Sequence, residues 1–177
     1  MKFTEWRGNS IRVVLGSVAI LCGCSAPVID KDNALLAIFV ETKSEDPDVA
    51  RQVEWFRSDP RTAWLENKPV FQPLHHMEKA ELIQTEDGIP AIRLTFNQRG
   101  KRLLKNVTTL RSGRRLFMMA WYRQNPEDKE MKPRCIGVRF IERSNDTGQF
   151  VFLPDTTKDE AKQLVDGFNN LAKKIQR

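Results

Sequence analysis

The segment TKDEAKQLVDGFNNLAKKIQR (157–177) constrains the fold of this chain more than any other stretch. Thr157 and Glu160 have the spacing of a capping box, in which a hydroxyl and a carboxylate take up backbone N–H groups left free in the first turn. Behind them Ala161, Leu164, Val165, Phe168, Leu171, Ala172 and Ile175 recur at helical spacing and make one side apolar throughout. Lys173, Lys174 and Arg177 stand at the end where the helix dipole favours cations. A helix this one-sided is stable only against another layer.

The rest of the chain supplies that layer mostly as strands. ALLAIFVET (34–42) reads as a first strand, and SEDPD (44–48) as a turn whose acids and Pro47 start a helix. In VARQVEWF, Val49, Val53 and Phe56 predict a short helix beside Ala50, stopped near Asp59-Pro60. Pro69 and Pro73 exclude a long regular element in the next stretch, leaving KPVF (68–71) as an extended edge segment. AELIQT and PAIRLTFN flank Glu86-Asp87-Gly88 as a hairpin, with both faces of Ala91, Ile92, Leu94 and Phe96 partly covered. Leu103, Leu104, Val107 and Leu110 predict a helix ending at Ser112-Gly113. RRLFMMAWYRQ (114–124) returns to a strand, NPEDKEMK (125–132) is a charged loop, and KPRCIGVRFIER and TGQFVFLP are strands across the SNDTG turn. The economical packing is an α+β fold, a mixed but mainly antiparallel sheet with two or three helices on one face.

At the other end, LGSVAILCGC (15–24) raises three readings: a metal or redox cysteine pair, a buried helix, or a processing signal. The apolar run 13–21 follows Lys2, Arg7 and Arg12 and is too short to span a bilayer, which favours the signal. Leu21-Cys22-Gly23-Cys24 resembles a bacterial lipobox. The resemblance implies a signal peptide over 1–23, cleavage after Gly23, a diacylglyceryl group on Cys24, and anchoring to a membrane through that lipid. Residues 24–33 are then a tether and 34–177 a single domain. Ser25 after the cysteine, rather than Asp, resembles the outer-membrane sorting pattern and puts the domain in the periplasm.

Once Cys24 is lipidated, Cys135 is the remaining thiol, so the domain depends on its hydrophobic core and not on disulfides. Cys135 lies in a β-rich run without a cysteine partner and reads as a buried, inert side chain. The formal charge of +6 includes Lys2, Arg7, Arg12 and Glu5 of the removed segment, leaving a mild surplus with both signs interspersed. No basic stripe with exposed aromatics is present, so nucleic acid is not the expected partner.

The chemistry-bearing residues are sparse. His75-His76 with Glu78 is a weak metal motif, because adjacent residues on an extended chain point to opposite faces. No phosphate-binding glycine loop and no G-x-S-x-G elbow occur, and both histidines share one dipeptide. The Asp159-Glu160 pair is explained by the first turn of its helix. Among Trp55, Trp64, Trp121 and Tyr122, the last two are candidate partner-binding residues, since aromatic anchors dominate binding hot spots. These features favour a binding or assembly module, with no catalytic residue, cofactor or metal expected.

Four segments between Lys68 and Phe168 carry a resemblance: KPVFQPLHHMEKAEL, GIPAIRLTFNQRGKRLLKNVTTLRSGRRLFMMAW, CIGVRFIERSNDTGQFVF and TKDEAKQLVDGFN. Their order is similar to the head subdomain of the first periplasmic region of SecD/SecDF translocase subunits. The matching positions are Gly88, Gly100, Thr108 or Thr109, Gly113, Gly148, Phe150, Glu160, Ala161 and Leu164. The family's short acidic-glycine turn after its second strand is replaced here by Tyr122-Arg123 and the charged loop. The resemblance implies a SecD-head-like fold over 68–168 and a mobile, non-enzymatic domain that engages a translocating preprotein. Proton-driven translocation is not implied, because no transmembrane bundle follows. The expected partner is an envelope protein or an unfolded peptide. The competing readings are a small envelope hydrolase and a purely structural envelope lipoprotein.

Overall fold

The computed structural model describes residues 33–124, 127 and 130–176. The expected signal segment 1–23, Cys24, the expected tether as far as 32, part of the charged loop and Arg177 lie outside the described residues. Among the described residues no helix is long and apolar enough to cross a membrane.

The order of elements is β1 (Leu35–Val40), β2 (Ala50–Trp55), β3 (Arg61–Glu66), a 3-10 turn (Pro73–His75), β4 (Met77–Gln84), β5 (Pro90–Phe96), α1 (Gln98–Leu110), β6 (Arg115–Tyr122), β7 (Lys132–Phe140), β8 (Gln149–Phe152) and α2 (Lys158–Ile175). Every strand pair is antiparallel, as the α+β reading requires. The expected single sheet is instead three: β1-β6-β7, β4-β5-β8 and the hairpin β2-β3.

α2 explains why two of these sheets share a core. Phe168 is fully buried on its inner face among Leu36, Ile38, Leu94, Met118 and Phe150 of one continuous cluster. The helix also completes the free edge of β4. The Asn169 side chain accepts from the Ala80 N–H at 2.8 Å and donates to its carbonyl at 3.0 Å, standing in for a neighbouring strand. Ile175, expected on the apolar face, lies in the last turn of the helix and is 38 % exposed.

α1 forms where its spacing predicts, but with a rotated face. Gly100, Leu104 and Thr108 are buried, whereas Leu110 is 81 % exposed. A side chain at Gly100 would meet His76 Cβ at 2.7 Å, so glycine lets the helix approach that closely. Thr108 is tolerated inside because its hydroxyl donates to the Leu104 carbonyl and accepts the Asn145 N–H, both at 2.8 Å. Gly113 and Gly148 end α1 and start β8 at φ +78°, a conformation that favours glycine.

The segment 49–56 is not a helix. β2 pairs with β3 over its whole length, from Ala50↔Glu66 to Trp55↔Arg61. The period is two: Val53 and Trp55 face inward, Gln52 and Glu54 outward, and the helical spacing of Val49 and Phe56 is coincidental, both being exposed. β3 itself was masked in the sequence by the prolines that follow it. KPVF is extended as expected, with Phe71 bridged to Ile38.

The hairpin β2-β3 explains the unbroken apolar run of β6. Leu116, Met118, Ala120 and Tyr122 face the α2 side, and Phe117 and Met119 face the hairpin, packed with Phe39, Trp55, Leu65 and Cys135. A strand buried on both faces reads as continuously hydrophobic.

Candidate functional site: an open seam between β2 and β7

β3 meets the end of β1 through the Glu41↔Leu65 bridge and the Thr42 N–H to Trp64 carbonyl bond of 2.8 Å. The strands therefore curl as β7-β6-β1-β3-β2, and β2 comes to lie opposite β7. No ladder joins those two among the described residues. The seam between them is a cavity of about 540 Å³, with Met119 and Cys135 at its side and Arg51 through Arg57 along one wall.

Each end of the seam is chemically distinct. At one, the Arg51 guanidinium lies 4.3 Å from the Phe39 ring centroid, a cation–π contact. Its Nε and Nη2, and the Nε1 of Trp55, are buried without a hydrogen-bond acceptor. Burial pulls the Arg51 pKa below its ordinary value.

At the other end, charged groups are fully engaged. Arg57 donates to both Glu160 carboxylate oxygens at 2.6 and 2.7 Å, and its backbone N–H donates to Asp155 at 3.0 Å. Arg134 donates to Glu160 at 2.7 Å and lies 3.5 Å from the Asp155 carboxylate. The Tyr122 hydroxyl donates to the same Glu160 oxygen and accepts from Arg134 at 3.1 Å. The cluster ties the end of β2 to β6, β7 and the first turn of α2. Phe56, beside it, holds φ +67°, a strained value for a non-glycine residue, and stacks on Trp55 with centroids 4.2 Å apart.

Glu160 is thus more than a capping residue. Thr157 does accept the Glu160 N–H at 3.3 Å, as half of the capping box. The Glu160 carboxylate, however, is taken by Arg57, Arg134 and Tyr122. Tyr122 is 1 % exposed, so it offers no surface to a partner, and the expectation of an exposed aromatic fails there. Burial, then the Glu160 contact, pushes its pKa up to about 12. Trp121 is half-buried against Phe39, with centroids 6.4 Å apart.

Burial likewise pushes the Cys135 thiol up to about 11, so it stays protonated at neutral pH and is a poor nucleophile. His75 is exposed and His76 half-buried, away from the seam beside Arg99 and Leu103. Burial, Arg99 and His75 together lower the His76 pKa. No group of three or more metal-ligating side chains occurs among the described residues. Sequence reasoning missed Arg51, Arg57, Arg134 and Asp155, which are ordinary surface residue types until the strands bring them together. The usable signal was the alternation Arg51, Val53, Trp55.

No protein-family profile and no curated protein matches the chain. Solved structures that share its fold include two of SecDF. One is SecDF, described as a membrane component that enhances protein export, with a TM-score of 0.53, 15 % identity, 78 % of this chain covered and 63 % of that one. The other is SecDF in its super-membrane-facing form, with a TM-score of 0.54, 14 % identity and coverages of 78 % and 19 %. The chain therefore spans less than two thirds of either neighbour, and the likeness is one of fold.

Proposed function

We propose that this chain is a lipid-anchored periplasmic protein whose domain binds extended or unfolded polypeptide, linked to protein export or envelope assembly, and that it is not an enzyme. The observation that carries the reading is the fold it shares, over 78 % of its length, with a membrane component that enhances protein export. The seam adds support, since it presents free strand edge and apolar side chains and holds no nucleophile beside a base. Anchoring rests on the Lys2–Cys24 pattern: stable attachment takes more than one acyl chain, at about 0.8 kcal/mol per buried CH₂, which a multiply acylated Cys24 supplies.

Two measurements test this reading. Mass spectrometry of the envelope protein should find Cys24 as a lipidated N-terminus, and Cys24→Ser should retain residues 1–23. A photo-cross-linker at the exposed Phe56 of the full chain should capture a secretory precursor arrested during export. Adducts confined to one folded envelope protein would support the structural-lipoprotein reading instead, and an absence of adducts would overturn polypeptide binding.

A further inference from the structure

We propose that the seam receives an extended segment of another polypeptide, added as a strand to the free edge of β2, with an acidic side chain of that segment seated on Arg51. This deepens the polypeptide-binding reading and rests on it.

The backbone argument comes first. The Asn67 N–H donates to the Val49 carbonyl at 3.0 Å, which fixes the phase of the β2-β3 ladder. Arg51, Val53 and Trp55 then turn their amides to β3, and Gln52 and Glu54 turn theirs into the seam. Those N–H and C=O groups have no partner among the described residues, and an unpaired edge is a template for a further strand. From Ala50 to Trp55 the edge is about 17 Å long at the usual strand rise.

Opposite, β7 forms a wall and not a second template. Pro133 pairs with Trp121 and has no N–H to offer, and the Ile136 carbonyl already accepts the Asp155 N–H at 2.8 Å. The incoming strand therefore belongs to β2.

Arg51 specifies the charge. Arg57 and Arg134 are held by Glu160 and Asp155, whereas no carboxylate pairs with Arg51 among the described residues. Its buried Nε and Nη2, like Trp55 Nε1, are donors lacking acceptors. Guanidinium nitrogens buried in that state are costly, and a carboxylate beside them supplies the acceptors they lack. Side chains of a strand added to β2 alternate between the two faces, so an acidic residue reaching Arg51 has apolar neighbours two positions away, facing Val53 and Met119.

The test uses the full chain and the peptide acetyl-Thr-Val-Thr-Glu-Thr-Val-Thr-amide. Its companions are a version with Gln for Glu and two versions N-methylated on alternate amides, one in each phase. Tryptophan fluorescence gives affinity and backbone amide shifts give location. The Glu peptide should bind about ten- to a hundredfold more tightly than the Gln peptide, and Arg51→Met should erase that difference. One N-methyl phase should bind and the other fail, with shifts centred on Gln52 and Glu54. Gln52→Pro should abolish binding without lowering the thermal midpoint, because the Gln52 N–H makes no internal bond. That variant keeps the proposal falsifiable even where Arg51→Met fails to fold. Binding that ignores Gln52→Pro and both N-methyl phases would overturn strand addition yet leave polypeptide binding standing. Equal affinity for the Glu and Gln peptides would overturn the role of Arg51. No binding by any peptide, with precursor cross-links retained, would also overturn the inference, and loss of those cross-links as well would remove the reading beneath it.

Discussion

The two faces of the β1-β6-β7 sheet are built on different terms. The face toward α2 belongs to a broad aliphatic and aromatic core that also takes in β4, β5 and β8. The face toward the β2-β3 hairpin is a small cluster around Phe39, Trp55, Phe117 and Met119, opened along one side and carrying buried guanidinium and indole nitrogens without acceptors. One face is organised for stability. The other keeps unpaired edges and donors that a core built only for stability would not retain. The difference separates what holds the molecule together from what it can offer a partner.

The largest expected effect lies on the α2 side. Phe168 is completely buried in mid-helix, so Phe168→Ala should cost about 3–5 kcal/mol of unfolding free energy in urea titration. An unchanged midpoint would show that α2 does not organise this core, and the contrast between the faces would collapse.

How much of this was legible follows the same division. α2, the β4-β5 hairpin, β6, β7 and β8 announce themselves through period and turn chemistry, because local preference and tertiary burial agree there. The β2-β3 side does not. The segment 49–56 contains apolar positions at both two- and four-residue spacing, and pairing with β3, distant from any local signal, decides between them. The site was less legible still. Glu160 serves helix start and ion cluster at once, so its capping role concealed the second. Tyr122 reads as a surface aromatic until the strand phase turns it inward, next to Trp121, which remains half-exposed.

A smaller effect is expected where the two faces are tied. Glu160→Gln keeps the shape but removes the carboxylate shared by Arg57, Arg134 and Tyr122, leaving Asp155 as the one carboxylate beside Arg134 among the described residues. We expect a loss of about 2–3 kcal/mol, the range for charge-assisted bonds at a largely buried site. Hydrogen exchange should speed first in β2 and β3, with α2 amides little changed. Uniform acceleration across both faces would mean that the cluster supports the whole fold and does not specifically latch the hairpin.

Alkaline pH sharpens the comparison further, because the groups that resist ionisation lie where the faces meet. Tyr122 is raised from 10.0 to about 12 and Cys135 from 9.0 to about 11. Both are neutral when protonated, and the folded state holds the proton more tightly than the unfolded chain. Their contribution is therefore complete below about pH 9 and is lost as pH rises towards 12. Urea midpoints should be flat through neutrality in this respect and fall above pH 9, by about 1.4 kcal/mol per pH unit for each group while it titrates. Tyr122→Phe should remove the share that falls between about pH 10 and 12, leaving the Cys135 share, which ends near pH 11. A variant as alkali-sensitive as the parent would show that Tyr122 is not the group responsible.

The smallest effect is expected at His75 and His76, which lie outside the seam on neither side of this division. Alanine keeps the His76 Cβ that Gly100 is shaped to accommodate, so the double variant His75→Ala, His76→Ala should leave the approach of α1 intact. The lowered His76 pKa means that the folded state prefers the neutral ring. Stability from this source is complete above the ordinary histidine pKa and lost as pH falls through and below it. The parent should thus lose slightly more stability than the double variant between pH 7.5 and 5.5, with no difference at pH 7.5. Precursor cross-linking and complementation of a deletion strain should be unchanged, because histidines away from the seam give up no area to a strand bound there, whereas the seam aromatics give up much. Loss of function in the double variant, with fold and anchoring preserved, would move the working site away from the seam and restore the metal or catalytic reading of His75, His76 and Glu78.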